Sequence, residues 1–134
     1  DDALDLQLTL NRLLKDYSFC DAALEYDVLH PLPQQTIYHI LAIVKESMNN
    51  TMKHSNATRY RITVREQPAF YQLILRDNGT KHSSVPWQNK GIGLSNMRER
   101  VEDMHGYLNI TRAPGFQIYI TLPKEDINHE NTDC

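Results

Sequence analysis

KESMNNTMKH, residues 45–54, places one carboxylate, two amides, two lysines and a histidine in ten positions between apolar segments. At roughly 100° per residue, Ile37, Leu41, Val44, Met48 and Met52 fall on one side of a helix spanning about 36–54 and read as its buried face. On the same wheel His39, Glu46, Asn50 and Lys53 cluster within about 60° of one another, nearly opposite that stripe. A solvated polar surface is the simplest account of such a face. Asparagine counts against it: it is a poor interior helix former that competes with the backbone for hydrogen bonds. A surface selected for stability would carry Glu, Lys or Gln at Asn49 and Asn50.

The rest of the chain bounds what that face can do. A sequence of 134 residues with 40% hydrophobic residues is one domain's worth. The net charge of -3 gives no pull toward a phosphate backbone, so nucleic acid is not expected as a partner. TIYHILAIV is too short to cross a bilayer, and DDALDL lacks a basic leader region. Cys20 and Cys134 are too few and too irregularly placed for a disulfide framework or a zinc site, which suits a reducing, cytoplasmic setting.

Residues 3–16 place Leu4, Leu8, Leu10, Leu13 and Leu14 at near-helical spacing, and CDAALEYDV then reads as extended. Pro33 gives the 36–54 helix a plausible entry. RYRITVRE alternates Tyr60, Ile62 and Val64 against arginines, and AFYQLILR follows after a Gln-Pro break, a hairpin. Residues 78–92 read as a long polar loop, a helix resumes at about 94–105, and YLNIT and FQIYITLP are two further strands joined through Pro114 and Gly115. The tail from Lys124 is polar and reads as loose. This order predicts an α/β (α+β) two-layer sandwich, a mixed sheet covered by helices on one face.

Two glycine motifs flank the polar loop. In DNG, residues 77–79, Asp77 ends a strand with an acceptor-only carboxylate suited to a purine's exocyclic amine, and Gly79 lets the backbone approach a base. An ordinary hairpin turn is the alternative, but no returning strand follows. GIG, residues 91–93, opens a helix whose free amides favour phosphate. The third glycine and the acidic residue of a dinucleotide-binding fold are absent.

Together these pieces resemble the ATP-binding domain of the GHKL superfamily, which includes histidine kinases, gyrase, MutL and heat-shock chaperone ATPases. The resemblance covers about residues 34–123 and is nearest to sensor kinases paired with helix-turn-helix response regulators. It implies a Bergerat-type fold. It also implies that Glu46 and Asn50 are the N-box pair, Glu46 catalytic and Asn50 a ligand of Mg²⁺. Lys53 and His54 match phosphate-facing positions, Asp77 and Gly79 an adenine-reading box, and Gly91, Ile92, Gly93 and Leu94 a box whose amides face the triphosphate of ATP. Residues 80–90 match a lid, with Trp87 as a candidate anchor. The implied partners are a histidine-bearing dimerisation domain of the same protein, in a homodimer, and a response regulator.

The match departs from the family twice. Lys81 stands where a second glycine usually follows DNG, and Gly115-Phe116 stands where Gly-Thr is common; both bear on ATP affinity. No phosphoacceptor segment lies upstream of residue 34, and His39 reads as a structural, hydrogen-bonded histidine. Two other readings of the same fold are a nucleotide-sensing scaffold without turnover and a serine kinase of the same superfamily.

Overall fold

The computed structural model describes residues 3–81, 92–112 and 115–124, and only the backbone of 92–95. The described elements are α1 (Leu6–Lys15), β1 (Asp21–Asp27), α2 (Gln34–His54), β2 (Arg59–Glu66), β3 (Phe70–Asp77), α3 (Ile92–Asp103), β4 (Tyr107–Thr111) and β5 (Phe116–Pro123). The five strands form one mixed sheet in the order β1-β2-β3-β5-β4. β1 and β2 are parallel, which requires a crossover, and α2 supplies it. The remaining pairs are antiparallel.

Burial alternates along the strands. Tyr60, Ile62 and Val64 of β2, Tyr71, Leu73 and Leu75 of β3, and Phe116, Ile118, Ile120 and Leu122 of β5 point to one face, where they join the apolar residues of α1 and α2 in a single core cluster. The opposite face of the sheet carries Arg61 and Arg65, which reach Asp21 and Glu25 of β1 at 3.7 and 3.6 Å.

The α2 register differs from the wheel in one respect. Met52 is 46% exposed, and the buried line runs instead through Ile37, Ile40, Leu41, Ile43, Val44, Ser47, Met48 and Thr51. Successive positions on an α-helix face advance by 3 or 4 residues, and here the last step is 3, so a threonine rather than a methionine faces inward. In α1 the buried residues are Leu6, Leu10 and Leu14, while Leu8 lies on the outer side at 50% exposure.

Two contacts away from α2's C-terminal end close the sheet. Lys124 is not part of a loose tail: its amide donates to the Ala69 carbonyl, and its Nζ lies 2.6 Å from Glu66 Oε2 and 5.1 Å from the Tyr71 ring centre. Glu66 also accepts from the amides of Leu29 and His30, each at 2.7 Å. The Lys124 ammonium and then the His30 amide hold its carboxyl far below the usual carboxylate range, against the opposing effect of burial. After α3 the chain turns with His105 at φ 58, its amide donating to the Glu102 carbonyl and the Gly106 amide to that of Val101. This is a Schellman motif with histidine in the left-handed position. Glycine occupies the next position because a Cβ at 106 would lie 2.7 Å from the Thr121 carbonyl oxygen.

Candidate functional site

The last two turns of α2 and the end of β3 meet through a hydrogen bond between buried side chains. Thr51 Oγ1 donates to Asp77 Oδ2 at 3.0 Å, and the Gly79 amide donates to Asp77 Oδ1 at 2.9 Å. Asp77 is 8% exposed and Thr51 3%. Buried carboxylate oxygens are costly unless they accept hydrogen bonds, and each of the two receives one here.

Two asparagines fix the surrounding loop. Asn78 Oδ1 accepts from the amides of Thr58 and Arg59, each at 2.9 Å, while its Nδ2 donates to Thr58 Oγ1. Asn56, just past α2, accepts at Oδ1 from the backbone amides of Thr80 and Lys81 at 2.9 and 3.0 Å and donates through its backbone N–H to the Lys81 carbonyl. The chain leaving Asp77 is thereby tied both to the start of β2 and to the end of α2. Lys81 has a fixed backbone and an exposed side chain.

Beneath α2 lies a second polar layer. Ser47 Oγ and the Tyr60 hydroxyl are 2.6 Å apart, both buried, and the Tyr17 hydroxyl donates to the Met48 carbonyl at 2.6 Å. Burial pushes both phenols well above the usual tyrosine range, and the negative charge of Asp77 adds to the rise. The Ser47 hydrogen bond opposes the rise at Tyr60 without reversing it. Both hydroxyls therefore stay protonated and keep a proton to donate.

On the outer side of α2, Glu46, Asn49 and Asn50 are half-buried. Glu46 and Asn50 stand one turn apart. Lys53 is exposed and His54 half-buried, in the last helical turn, where the helix dipole favours cations whatever else they do. A cleft of about 440 Å³ runs between α2 and α3 and is lined by Lys45, Glu46, Asn49, Asn96 and Arg100 together with apolar side chains. Among the described residues, Glu46 is the site residue expected from sequence that lines it. Asn49 stood out in the sequence only as a poor helix former, and Lys45, Asn96 and Arg100 were not singled out, since nothing in their local spacing sets them apart. At the far end of this helix pair, Arg100 Nη1 lies 3.2 Å from His39 Nδ1. A guanidinium only donates, so His39 accepts there and carries any neutral-ring proton on Nε2. His39 is thus a hydrogen-bonded structural residue.

Ile92, Gly93 and Leu94 form the first turn of α3 in the backbone. Gly91, residues 82–90 of the expected lid and Trp87 within them lie outside the described residues. Among the described residues there is no cluster of His, Cys, Asp and Glu able to hold a metal without help from a ligand. No helix of the described residues is long and apolar enough to cross a membrane.

A family model described as histidine kinase-, DNA gyrase B-, and HSP90-like ATPase matches residues 36–126. The chain is 30% identical over 97 residues to the sensor protein VraS of Staphylococcus haemolyticus, covering 69% of this chain and 28% of VraS. It is 30% identical over 127 residues to a NarQ sensor homologue of Haemophilus influenzae, covering 89% of this chain and 22% of that protein. It therefore spans about a quarter of the length of these relatives. Among solved structures, the histidine kinase domain of a blue-light activated kinase from Erythrobacter litoralis superposes with a TM-score of 0.74 at 20% identity, over 92% of this chain and 64% of that one. The Acinetobacter baumannii histidine kinase AdeS gives 0.73 at 14% identity, over 90% and 65%. These likenesses establish the five-stranded mixed sheet with its helices as the fold of histidine kinase ATPase domains.

Proposed function

The chain belongs to the histidine kinase-, DNA gyrase B- and HSP90-like ATPase family, and from that membership we propose that residues 1–134 are one Mg-ATP-binding catalytic unit of a two-component sensor histidine kinase. The unit presents the γ-phosphate of ATP to a histidine on a separate dimerisation domain. One observation carries this reading: the Thr51–Asp77 hydrogen bond joins the helix bearing Glu46 and Asn50 to the strand end bearing DNG. Side chains far apart in sequence are thus assembled around one buried carboxylate.

In this reading Asp77 accepts from the exocyclic amine of adenine, and Gly79 leaves room for the base. The amides opening α3, from Gly91 through Leu94, face the triphosphate, with Lys53 and His54 on its outer side. Glu46 and Asn50 are an oxygen donor pair on one helix face, which suits a hard cation. Mg²⁺ characteristically takes only one or two protein ligands and completes its shell with phosphate and water, so the small protein share fits. Asn50 would hold it through the amide oxygen, and Glu46 would order its water or accept the proton lost in transfer. Bound there, the ion neutralises charge on the phosphate oxygens; the protein's own part is positioning.

The full protein, on this account, is a homodimer in the cytoplasm, or a cytoplasmic part of an anchored sensor, that passes phosphate to a response regulator. Calorimetric titration of the chain with ATP, with and without Mg²⁺, tests the reading. Saturable binding that strengthens with Mg²⁺ and weakens in Asn50→Ala is expected. Binding that ignores both would remove Asn50 and the metal from the site.

A further inference from the structure

We infer that Thr51 is a positioning residue for base recognition, acting through Asp77, so that nucleotide specificity is set jointly by a helix hydroxyl and a strand-end carboxylate. The inference rests on the ATP-binding reading above and deepens it.

A threonine inside a helix commonly turns its hydroxyl proton back to the carbonyl one turn earlier. Thr51 does not: its Oγ1 donates across the core to Asp77 Oδ2 at 3.0 Å. A hydroxyl has one proton, so this bond is made at the expense of the local one. Thr51 is also 3% exposed in a stripe otherwise built of Ile, Leu, Val and Met with the single serine Ser47, and a valine would fill the same volume without bringing a polar atom into the core. Burying that oxygen is unfavourable unless it is bonded, and the carboxylate is its partner.

The effect on Asp77 follows from the torsional softness of the group. The terminal torsion of an aspartate is broad. With Thr51 on Oδ2 and the Gly79 amide on Oδ1, the carboxylate plane is held from two sides by two different segments. Whether a carboxylate discriminates an amine from a carbonyl depends on where its oxygens point. Thr51 sets that direction, and it follows Asn50 directly in the chain, so the metal-side and base-side contacts move as one piece.

The test compares ATP with ITP, which carries a carbonyl in place of the exocyclic amine, by titration against the intact chain and its variants. Thr51→Val keeps shape and branching while removing the donor, and Thr51→Ser keeps the donor. Thr51→Val is expected to lower the ATP-over-ITP preference by roughly three- to tenfold, the size of one hydrogen bond, while Thr51→Ser retains most of it. In an Asp77→Asn background, Thr51→Val is expected to change the preference no further. Thr51→Ala carries the same expectation should valine not fold. Equal loss of ATP and ITP affinity with the preference unchanged would make Thr51 merely structural and overturn the inference alone. Failure of the unsubstituted chain to bind ATP would overturn the inference together with the reading it rests on.

Discussion

Gly115 and Asp77 are placed so that the Asp77 carbonyl oxygen occupies the space a side chain at position 115 would need. Gly115 has φ 74, a conformation that L side chains rarely adopt, and it leads directly into Phe116, the β5 partner of Asp77. The backbone that presents the buried carboxylate is therefore braced by a residue that must lack a Cβ. Gly115→Ala is expected to destabilise the chain by about 1–3 kcal/mol, combining left-handed strain with a backbone clash. Thermal melting measures it, and an unchanged melting temperature would show that the two segments separate without cost.

The hydroxyl pair under α2 gives a coupling prediction. Tyr60→Phe leaves the buried Ser47 oxygen to find another partner, and Ser47→Ala does the same to Tyr60. Each single change is expected to cost about 1–3 kcal/mol, and the double variant clearly less than the sum. Denaturant unfolding of the four chains measures this, and strict additivity would mean the two groups are not bonded.

Glu66 predicts an acid response. Its carboxyl titrates lower in the folded chain than in the unfolded one, chiefly because Lys124 donates to it. The sign follows: the contribution is fully present above the unfolded value of about 4 and is lost as pH falls toward the folded value. Glu66→Gln is expected to lower stability at neutral pH and to flatten the fall in stability below about pH 4. Parallel acid unfolding curves for the two chains would contradict the clamp.

Much of this fold was legible because the strands alternate cleanly: RYRITVRE and FQIYITLP match β2 and β5 to the residue. The insertion of β5 between β3 and β4 was not, since strand order is set by packing rather than local pattern. Asn50, Asp77 and Gly79 stood out because each residue type is costly or unusual where it lies. Thr51 did not, because a single hydroxyl at a core position leaves no periodic trace, and the wheel gave its place to Met52. Lys124 read as tail because the carboxylate that holds it is far away in sequence.

Asn50 carries the metal-side prediction. Asn50→Asp or Asn50→Ala is expected to weaken Mg-dependent ATP binding by about 1–3 kcal/mol, the scale of a polar contact in a dry site, with the fold intact. Equal Mg-ATP affinity in the variants and the unsubstituted chain would remove the role.

The account turns on a buried carboxylate that reads an amine, and the direct measurement is the affinity of the unsubstituted chain for Mg-ATP beside Mg-GTP, repeated in Asp77→Asn. In the proposed role Asp77 would accept from adenine's exocyclic amine, whereas guanine presents a carbonyl there, so the account predicts ATP tighter by about tenfold or more. It predicts that Asp77→Asn removes most of that difference. Comparable binding of ATP and GTP by the unsubstituted chain would contradict it.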